Sequence, residues 1–317
     1  MASGSDVSPV TGFSPGNAWP KVSVIVATRG RPQLLRRAVV SILGQAYPGA
    51  LECVLVFDQT EPADVQVDVP SGRRLRVLTN TRTPGLAGAR NTGIAATDGA
   101  LIAFCDDDDT WQPSKIAVQA ELLERSAADF AACGVRIHHG EHVATRIPPA
   151  EVGFDDLVRE RITALHPSTF VIRRSALTAI GLVDEEIPGS YGEDYDLLLR
   201  AARHGRVIAA TQPLVDVFWH EQSYFAERWQ TITNALRFLL SKYPELSADP
   251  AGRARIEGQI AFAEAALARR LDACRSSLHA LRGNPRERRA YLALAVAAGV
   301  VPAKSVVRAA NRRGRGI

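Results

Sequence analysis

Three short segments near the start of the chain are apolar at nearly every position. They are Lys21–Thr28 (KVSVIVAT), Leu51–Asp58 (LECVLVFD) and Ala100–Cys105 (ALIAFC). Continuous apolar runs of this length indicate strands buried on both faces, as in a parallel sheet. The segment Arg73–Asn80 (RRLRVLTN) lies between them in the chain and is expected to add another strand.

Segments with helical periodicity separate these strands. In RPQLLRRAVVSILGQ, apolar residues recur every three or four positions and Pro32 stands near the start. GLAGARNTGIAAT and PSKIAVQAELLERS are expected to form two further helices. The alternation predicts an α/β fold with a mostly parallel central sheet flanked by helices.

The second half of the chain is more mixed. TFVIRRSAL predicts a strand that runs into a helix, GEDYDLLLRAARHG a helix, and RVIAATQPLVDVFWH two short strands. The cluster His138, His139 and His142 is expected to lie in a loop and to bind no metal. From Ala226 the pattern is helical, and residues 256–283 and 286–301 are expected to form a helical hairpin joined at GNP. A boundary is expected near 225–250, where KYPELSADPAG supplies turn residues.

Polar residues follow three of the predicted strands. Thr28 ends the first strand and Asp58 ends the second. Four aspartates, Asp106–Asp109, follow the fourth strand, ALIAFC. Ligands of such sheets bind beyond the carboxyl ends of the strands, so these residues mark the expected site. Four adjacent carboxylates repel one another unless a cation compensates them, and Mg²⁺ or Mn²⁺ is the oxygen-seeking choice. A solvated acidic loop is the alternative.

The DDDDT stretch also matches D-x-D-x-T, the nucleophile loop of haloacid dehalogenase-type phosphatases, which would run from Asp106 through Asp108 to Thr110. An aspartate attacks phosphorus in that family. The family's loop usually follows the first core strand, whereas here it follows the fourth predicted strand. The phosphatase is therefore kept as an alternative function.

Composition restricts the class of protein. The chain has 317 residues, 46% of them apolar and 23% charged, as in soluble globular proteins. Its four cysteines are scattered, so neither a zinc site nor a disulfide framework is indicated, and a reducing cytoplasm fits. Residues 1–20 lack the features of a signal peptide and are expected to form a flexible leader.

Charge is concentrated at the C-terminal end. Residues 281–317 contain nine Lys or Arg and one acid, whereas the whole chain has a net charge of +4. Such a segment favours contact with an anionic surface, such as membrane lipid or nucleic acid, although a solvated tail is equally typical.

Five blocks of the sequence, in order, resemble glycosyltransferase family 2 of the GT-A fold. They are VSVIVATRGRPQLLRRAVVSILGQAYP, LVFDQT, PGLAGARNTGIAATDGALIAFCDDDDTWQPSKI, GEDYDLLLR and FWHEQS, which together span roughly residues 21–225. The sequence departs from the family pattern at Phe57, where an aspartate is usual, and at Ala27-Thr28-Arg29-Gly30, which replaces P-T-Y-N. FWH also lacks the arginine usually found two residues before the histidine, here His220.

The resemblance implies a role for particular residues. Asp194 would be the general base, and Asp108 with His220 would hold Mn²⁺ or Mg²⁺. Acceptor contacts are expected from the loops LHPSTF and EIPGSYGED, through Ser168, Tyr191 and Glu193. The nucleotide-sugar would be bound by Ala27, Thr28, Arg29, Asp58, Arg90, Asp106 and Asp107. Ordinary structural roles are the alternatives for Asp58, Arg90, His220 and the acids at 193 and 194.

The resemblance also implies an activity and partners. It implies a metal-dependent, inverting transfer of a sugar from a nucleotide diphosphate, by family frequency UDP, to a hydroxyl of a glycan, lipid-linked or natural-product acceptor. Residues 21–225 would form the catalytic domain, with a nucleotide-binding half at 21–112 and an acceptor half at 113–225. Residues 226–317 would form a helical region with a basic tail that holds the acceptor, forms a homodimer or docks at the inner face of a membrane.

Three other functions stay open beside this one. They are the phosphatase, a nucleotidyltransferase suggested by ATRGRP, and a non-catalytic sugar-nucleotide-binding relative. No nucleic acid partner is expected.

Overall fold

Four parallel strands form one half of the central sheet in the structure, a computed structural model that describes residues 18–219 and 228–312. They are β1 (Val22–Thr28), β2 (Leu51–Phe57), β3 (Arg73–Thr79) and β4 (Leu101–Phe104). β1 pairs with both β2 and β4, and β2 pairs with β3. All four strands predicted from the apolar pattern are confirmed, and their carboxyl ends lie along one edge of the sheet.

Helices cover both faces of this half-sheet. They are α1 (Pro32–Leu43) on one face and α2 (Leu86–Ala95) on the other, while α3 (Lys115–Arg125) lies on the same side as α1 against the other half of the sheet. α2 lies unusually close to β1, since a Cβ atom on Gly93 would meet Ile25 at 2.4 Å. This close approach explains the small residues of α2 and places its polar side chains in the interior beside the strand ends.

The other half of the sheet is mixed in direction. Its strands are β5 (Thr110–Trp111), β6 (Phe130–His139), β7 (His142–Arg146), β8 (Glu151–Val152), β9 (Val171–Arg173) and β10 (Val207–Phe218). The main strand order is β3-β2-β1-β4-β9-β6-β10-β5, with β7 beside β6 and β8 beside β10. Two predictions are wrong here. His138–His142 forms a β-hairpin rather than a loop, and β10 is one strand because register shifts around Pro213 accommodate the proline without ending it.

Three short helices and two 3-10 turns connect these strands. The helices are α4 (Phe154–Arg159), α5 (Arg174–Ala179) and α6 (Glu193–His204), and the turns are Pro167–Thr169 and Pro188–Ser190. The predicted strand-to-helix passage in TFVIRRSAL and the predicted helix in GEDYDLLLRAARHG are both confirmed. The acids of GEDYD therefore stand in the first turn of α6, where the helix dipole favours negative charge.

The C-terminal region is helical, as predicted. Its helices are α7 (Trp229–Lys242), α8 (Pro244–Ala248), α9 (Pro250–Ala266), α10 (Arg270–Gly283), α11 (Arg288–Ala297) and α12 (Ala303–Arg312). The predicted two-helix hairpin is wrong in one respect, because the chain leaves the helix after Ala266. Ala268 adopts a φ of 60°, which ends α9 and starts the turn into α10.

The hydrophobic core continues from the sheet into the C-terminal helices. One cluster joins Ile25 and Phe104 of the sheet with Leu198 of α6, Leu236 of α7 and Ile260 of α9. A second cluster fills the opposite face beneath α1 and α3, and a third lies among α9 to α12. The described helices include none with the length and apolar content required to cross a membrane.

Candidate active site

Each of the four aspartates that follow β4 has a different polar partner. Thr28 Oγ1 donates to Asp107 at 2.7 Å, and Arg31 donates to Asp108 at 2.7 Å. Ser168 donates to Asp109 at 2.6 Å, and Arg90 donates to Asp106 at 2.8 Å. The loop Asp106–Asp109, called the acid loop below, is therefore a built structure rather than a solvated charge run.

Burial and mutual repulsion work against ionisation of these carboxyl groups. Burial, with the charges of Asp106 and Asp107, raises the pKa of Asp108 to about 7. Burial likewise raises the pKa of Asp107, and burial with the neighbouring carboxylates raises that of Asp109 well above its usual range. A cation bound to the loop would relieve this repulsion, as expected for a metal site.

His166 completes a donor set with two of the aspartates. Ligand atoms of Asp106, Asp109 and His166 all lie within 4.8 Å of one another. Burial lowers the pKa of His166, which keeps the imidazole neutral and able to bind a metal through nitrogen. Two carboxylates and one imidazole suit Mn²⁺ or Mg²⁺, so the residues present fit the expected ion.

This donor set differs from the pair predicted from the sequence. Asp108 faces Arg31 instead of this set, and His220 lies outside the described residues. Asp109 and His166, neither of which the sequence indicates as a metal ligand, both belong to the set. Asp108 nevertheless stands in the same loop, so its predicted role as a metal ligand stays a prediction.

Asp58 organises the loop between β3 and α2. Its carboxylate accepts hydrogen bonds from Asn80 Nδ2 at 2.8 Å, Gly85 N at 3.1 Å and Gln59 Nε2 at 2.7 Å. These contacts support a structural role beside the predicted contact with the nucleotide base. Ala27 is half-buried and Arg29 exposed at the end of β1, on the same sheet edge.

Arg90 connects the acid loop to the start of α6. Its buried guanidinium donates to Glu193 and to Asp106. Although burial alone would lower it, the charges of Glu193 and Asp106 raise the pKa of Arg90. The arginine predicted to position the nucleotide therefore lies between the acid loop and the predicted base.

Asp194 is paired with an arginine that the sequence did not indicate. Nη2 of Arg161 lies 2.8 and 3.1 Å from the two carboxylate oxygens. Burial alone would raise the pKa of Asp194, but the charges of Arg161 and Arg90 lower it below its usual value. Asp194 is therefore an ionised carboxylate at neutral pH, as a proton acceptor must be.

The three residues predicted to contact the acceptor have different surroundings. Ser168 supports the acid loop, since it donates to Asp109 and accepts from the Asp106 backbone N–H at 3.0 Å. Glu193 binds Arg90. Tyr191 packs at the edge of the core, directly before α6.

Sequence reasoning missed Arg31, Arg161 and His166 as site residues. His166 does lie within LHPSTF, a segment expected to contact the acceptor. Arg161 gives no local signal, because its partner stands 33 positions later in the chain.

The sequence was compared with known families and proteins. Residues 23–181 match the model of glycosyl transferase family 2, which is half of the chain. The UDP-Glc:alpha-D-GlcNAc-diphosphoundecaprenol beta-1,3-glucosyltransferase WfgD of Escherichia coli is 25% identical over 189 residues, covering 59% of this chain and 72% of the relative.

Solved structures share the fold. S. aureus TarS in complex with UDP-GlcNAc superposes with a TM-score of 0.58 and 16% identity, covering 93% of this chain and 92% of that one. The mannosyltransferase PcManGT of Pyrobaculum calidifontis, bound to GDP-Man and Mn²⁺, gives a TM-score of 0.53 and 18% identity, covering 95% and 85%.

Proposed function

The chain belongs to glycosyltransferase family 2, and from that premise we propose that it transfers a sugar from a UDP-linked donor to an acceptor hydroxyl with inversion. The observation that carries this proposal is the link from the acid loop through Arg90 to α6. That link joins the acid loop, whose carboxylates would hold the cation, to the helix that carries the ionised carboxylate of Asp194. Direct displacement from a nucleotide-sugar requires both groups.

The donor would bind along the carboxyl ends of β1, β2 and β4. Ala27, Thr28, Arg29 and Asp58 would line the nucleotide base, and Asp106 would face the ribose. Asp107 is held by Thr28 and would shape the pocket wall. The fold neighbours are named for complexes with UDP-GlcNAc and GDP-Man, so the proposed preference for UDP is tested against GDP in the binding assay.

A divalent cation would be held by the acid loop. Asp106, Asp109 and His166 form one donor set, and Asp108 is the ligand indicated by the family resemblance. The cation would neutralise negative charge on the leaving diphosphate. The protein's own contribution is to hold the carboxylates in place through Thr28, Arg31, Arg90 and Ser168.

Asp194 would remove the proton from the attacking hydroxyl. A positioned general base is typically worth about 10²–10⁴ in rate. One displacement from the opposite face of the sugar would invert the anomeric centre. Arg161 keeps the carboxylate ionised and fixes its orientation.

Donor identity and transfer can be measured directly. We expect UDP with Mn²⁺ to raise the Tm of the full chain, and expect GDP and dTDP to raise it less. With a UDP-sugar and an accepted acceptor, proton NMR should show the product with the opposite anomeric configuration. Release of inorganic phosphate from a generic phosphate ester, with no sugar transfer, would instead support the phosphatase alternative.

The acceptor is proposed to be a sugar hydroxyl. The E. coli relative is named for an acceptor sugar on a lipid diphosphate. A lipid-linked sugar is therefore the first of the three expected acceptor classes to assay, before free glycans and natural products.

We also propose that the C-terminal helices contact a membrane surface from the cytoplasmic side. Ala290 and Ala293 of α11 are buried, and Val306 of α12 packs into the same cluster, so the buried faces of these helices are covered by the protein. The opposite side exposes Tyr291, Leu292 and Val300 beside the exposed Arg288. Apolar side chains with basic neighbours suit an anionic lipid surface. A homodimer stays a prediction.

A further inference from the structure

Three arginines from separate parts of the chain lie near Tyr191 and Tyr195, and one of them, Arg161, pairs with Asp194. Arg161 precedes the turn at Pro167–Thr169, Arg255 lies on α9 and Arg289 lies on α11. The positive charges of all three act on the phenol of Tyr191, together with the charge of Asp194. We call Arg161, Arg255 and Arg289 the arginine cluster.

Tyr195 lies within the arginine cluster. Arg255 donates to the Tyr195 hydroxyl at 2.8 Å, and its guanidinium carbon lies 5.3 Å from the ring centre. The guanidinium carbon of Arg161 lies 5.8 Å from the same ring. The two arginines therefore approach one aromatic ring although their charges repel.

The positive charge of the cluster is incompletely neutralised. Asp194 pairs with Arg161, and Glu287 accepts from Arg289 at 3.1 Å. Within residues 18–219 and 228–312, no carboxylate lies within 4.0 Å of a nitrogen of Arg255. Among the described residues, two ion pairs within 4.0 Å thus serve three guanidinium groups, and Arg255 has no carboxylate partner at that distance.

Donor atoms in the cluster also lack acceptors. Nε of Arg255 and Nε of Arg289 are buried without a hydrogen-bond partner among the described residues. Burial and the positive charges of Arg161 and Arg289 act to lower the pKa of Arg255. Like charges held together with unsatisfied donors are unfavourable unless an anion binds there.

The cluster is open to a ligand. The side chains of Arg161 and Arg289 are 34% and 31% exposed. Arg90 connects Glu193, the chain neighbour of Asp194, to the acid loop, where the donor diphosphate is proposed to bind.

We propose that the arginine cluster binds a phosphate group carried by the acceptor. Guanidinium groups bind phosphate oxygens through paired, charge-assisted hydrogen bonds. An acceptor sugar anchored in this way would present its hydroxyl to Asp194. This assignment rests on the proposed function and narrows its acceptor to a phosphate or diphosphate ester of a sugar. It also gives α9 and α11 a part in acceptor binding.

The first test is titration of the full chain with inorganic pyrophosphate in buffer with EDTA. We expect Arg255→Gln and Arg289→Gln each to weaken binding by about tenfold or more. Arg253→Gln and Arg288→Gln are matched controls, because both arginines are exposed on the same two helices and change the net charge equally. These controls should bind as the wild type does, and equal binding by all four variants would overturn the proposal.

The second test separates a sugar phosphate ester from free phosphate and from the donor. Octyl α-glucosyl phosphate should bind the wild type and lose affinity in Arg255→Gln, whereas neutral octyl α-glucoside should not distinguish the two proteins. UDP with Mn²⁺ should bind Arg255→Gln and Arg289→Gln with the affinity of the wild type. An equal loss of UDP binding would place the donor diphosphate at the cluster and overturn the proposal.

The outcomes also separate this proposal from the proposed function. If pyrophosphate binding depends on the arginine cluster but no sugar is transferred, the anion site is supported and the transferase mechanism is contradicted. If sugar is transferred but anion binding does not depend on the arginine cluster, the transferase mechanism is supported and the anion site is contradicted. Circular dichroism confirms folding, and the half-exposed Arg289 provides the variant with the smaller structural effect.

Discussion

Arg161 Nη2 lies 2.8 Å from Asp194 Oδ2, and this contact joins the loop after α4 to the first turn of α6. The pair helps to explain why a buried carboxylate stays ionised, because burial alone would raise the pKa of Asp194 and the charges of Arg161 and Arg90 together lower it. It also makes Arg161 a residue whose removal should change the pH dependence of the reaction.

Replacement of Arg161 by Gln should shift the acidic limb of the kcat/KM profile to higher pH. Loss of the positive charge raises the pKa of Asp194, and a general base acts only when it is deprotonated. Activity should therefore fall at a higher pH than in the wild type, with partial recovery at alkaline pH. An unchanged acidic limb would show that Arg161 does not set the pKa of Asp194.

Replacement of Arg90 by Met should strongly destabilise the protein. Arg90 is 2% exposed and contacts both Asp106 and Glu193, so its loss leaves two carboxylates without their partner. We expect the free energy of unfolding to fall by about 3–5 kcal/mol, measured by urea denaturation. Arg125→Met is the control, because Arg125 is 61% exposed beside Glu121, and we expect a change of about 0.5 kcal/mol or less. A loss at Arg90 as small as the control's would contradict its bridging role.

Removal of a metal ligand should lower the affinity for UDP with Mn²⁺ more than the affinity for UDP alone. His166→Gln and Asp108→Asn test the two candidate ligands, since His166 belongs to the donor set with Asp106 and Asp109 while Asp108 faces Arg31. Calorimetric titration with and without Mn²⁺ distinguishes them. If both variants keep the full effect of Mn²⁺, the acid loop is not the metal site.

Acidic substitutions on the exposed side of α11 and of the following turn should reduce membrane binding. Leu292→Glu with Val300→Glu places two charges on the proposed contact surface without disturbing buried Ala290 or Ala293. Flotation with phosphatidylglycerol vesicles should show less bound protein than for the wild type. Leu271→Glu, at another exposed apolar position, serves as the control. Equal flotation of all three proteins would exclude this surface.

The sequence predicts the elements whose pattern is local. β1, β2 and β4 are readable because burial on both faces produces continuous apolar runs. The sequence predicts two strands where β10 is one, because proline usually interrupts a strand. The sheet accommodates Pro213 through a register shift. The break at Ala268 has no glycine to mark it, so α9 and α10 resembled one helix.

The residues of the site also fall into those that the sequence indicates and those that only the fold brings together. The acid loop and the acids of α6 stand next to clear elements and are visible in the sequence. The partners of those acids are not, because Arg31, Arg161 and His166 reach them across the fold. The arginine cluster unites residues that are 128 positions apart, from 161 to 289, and only the packing of α9 and α11 brings them together.

The most direct test of the account is the Asp194→Asn variant. We expect sugar transfer to fall by about 10²–10⁴-fold, while the affinity for UDP with Mn²⁺ stays near that of the wild type. Asp155→Asn, an exposed acid on α4, should retain full activity. Transfer by Asp194→Asn at the wild-type rate, with donor binding intact, would contradict the assignment of Asp194 as the base.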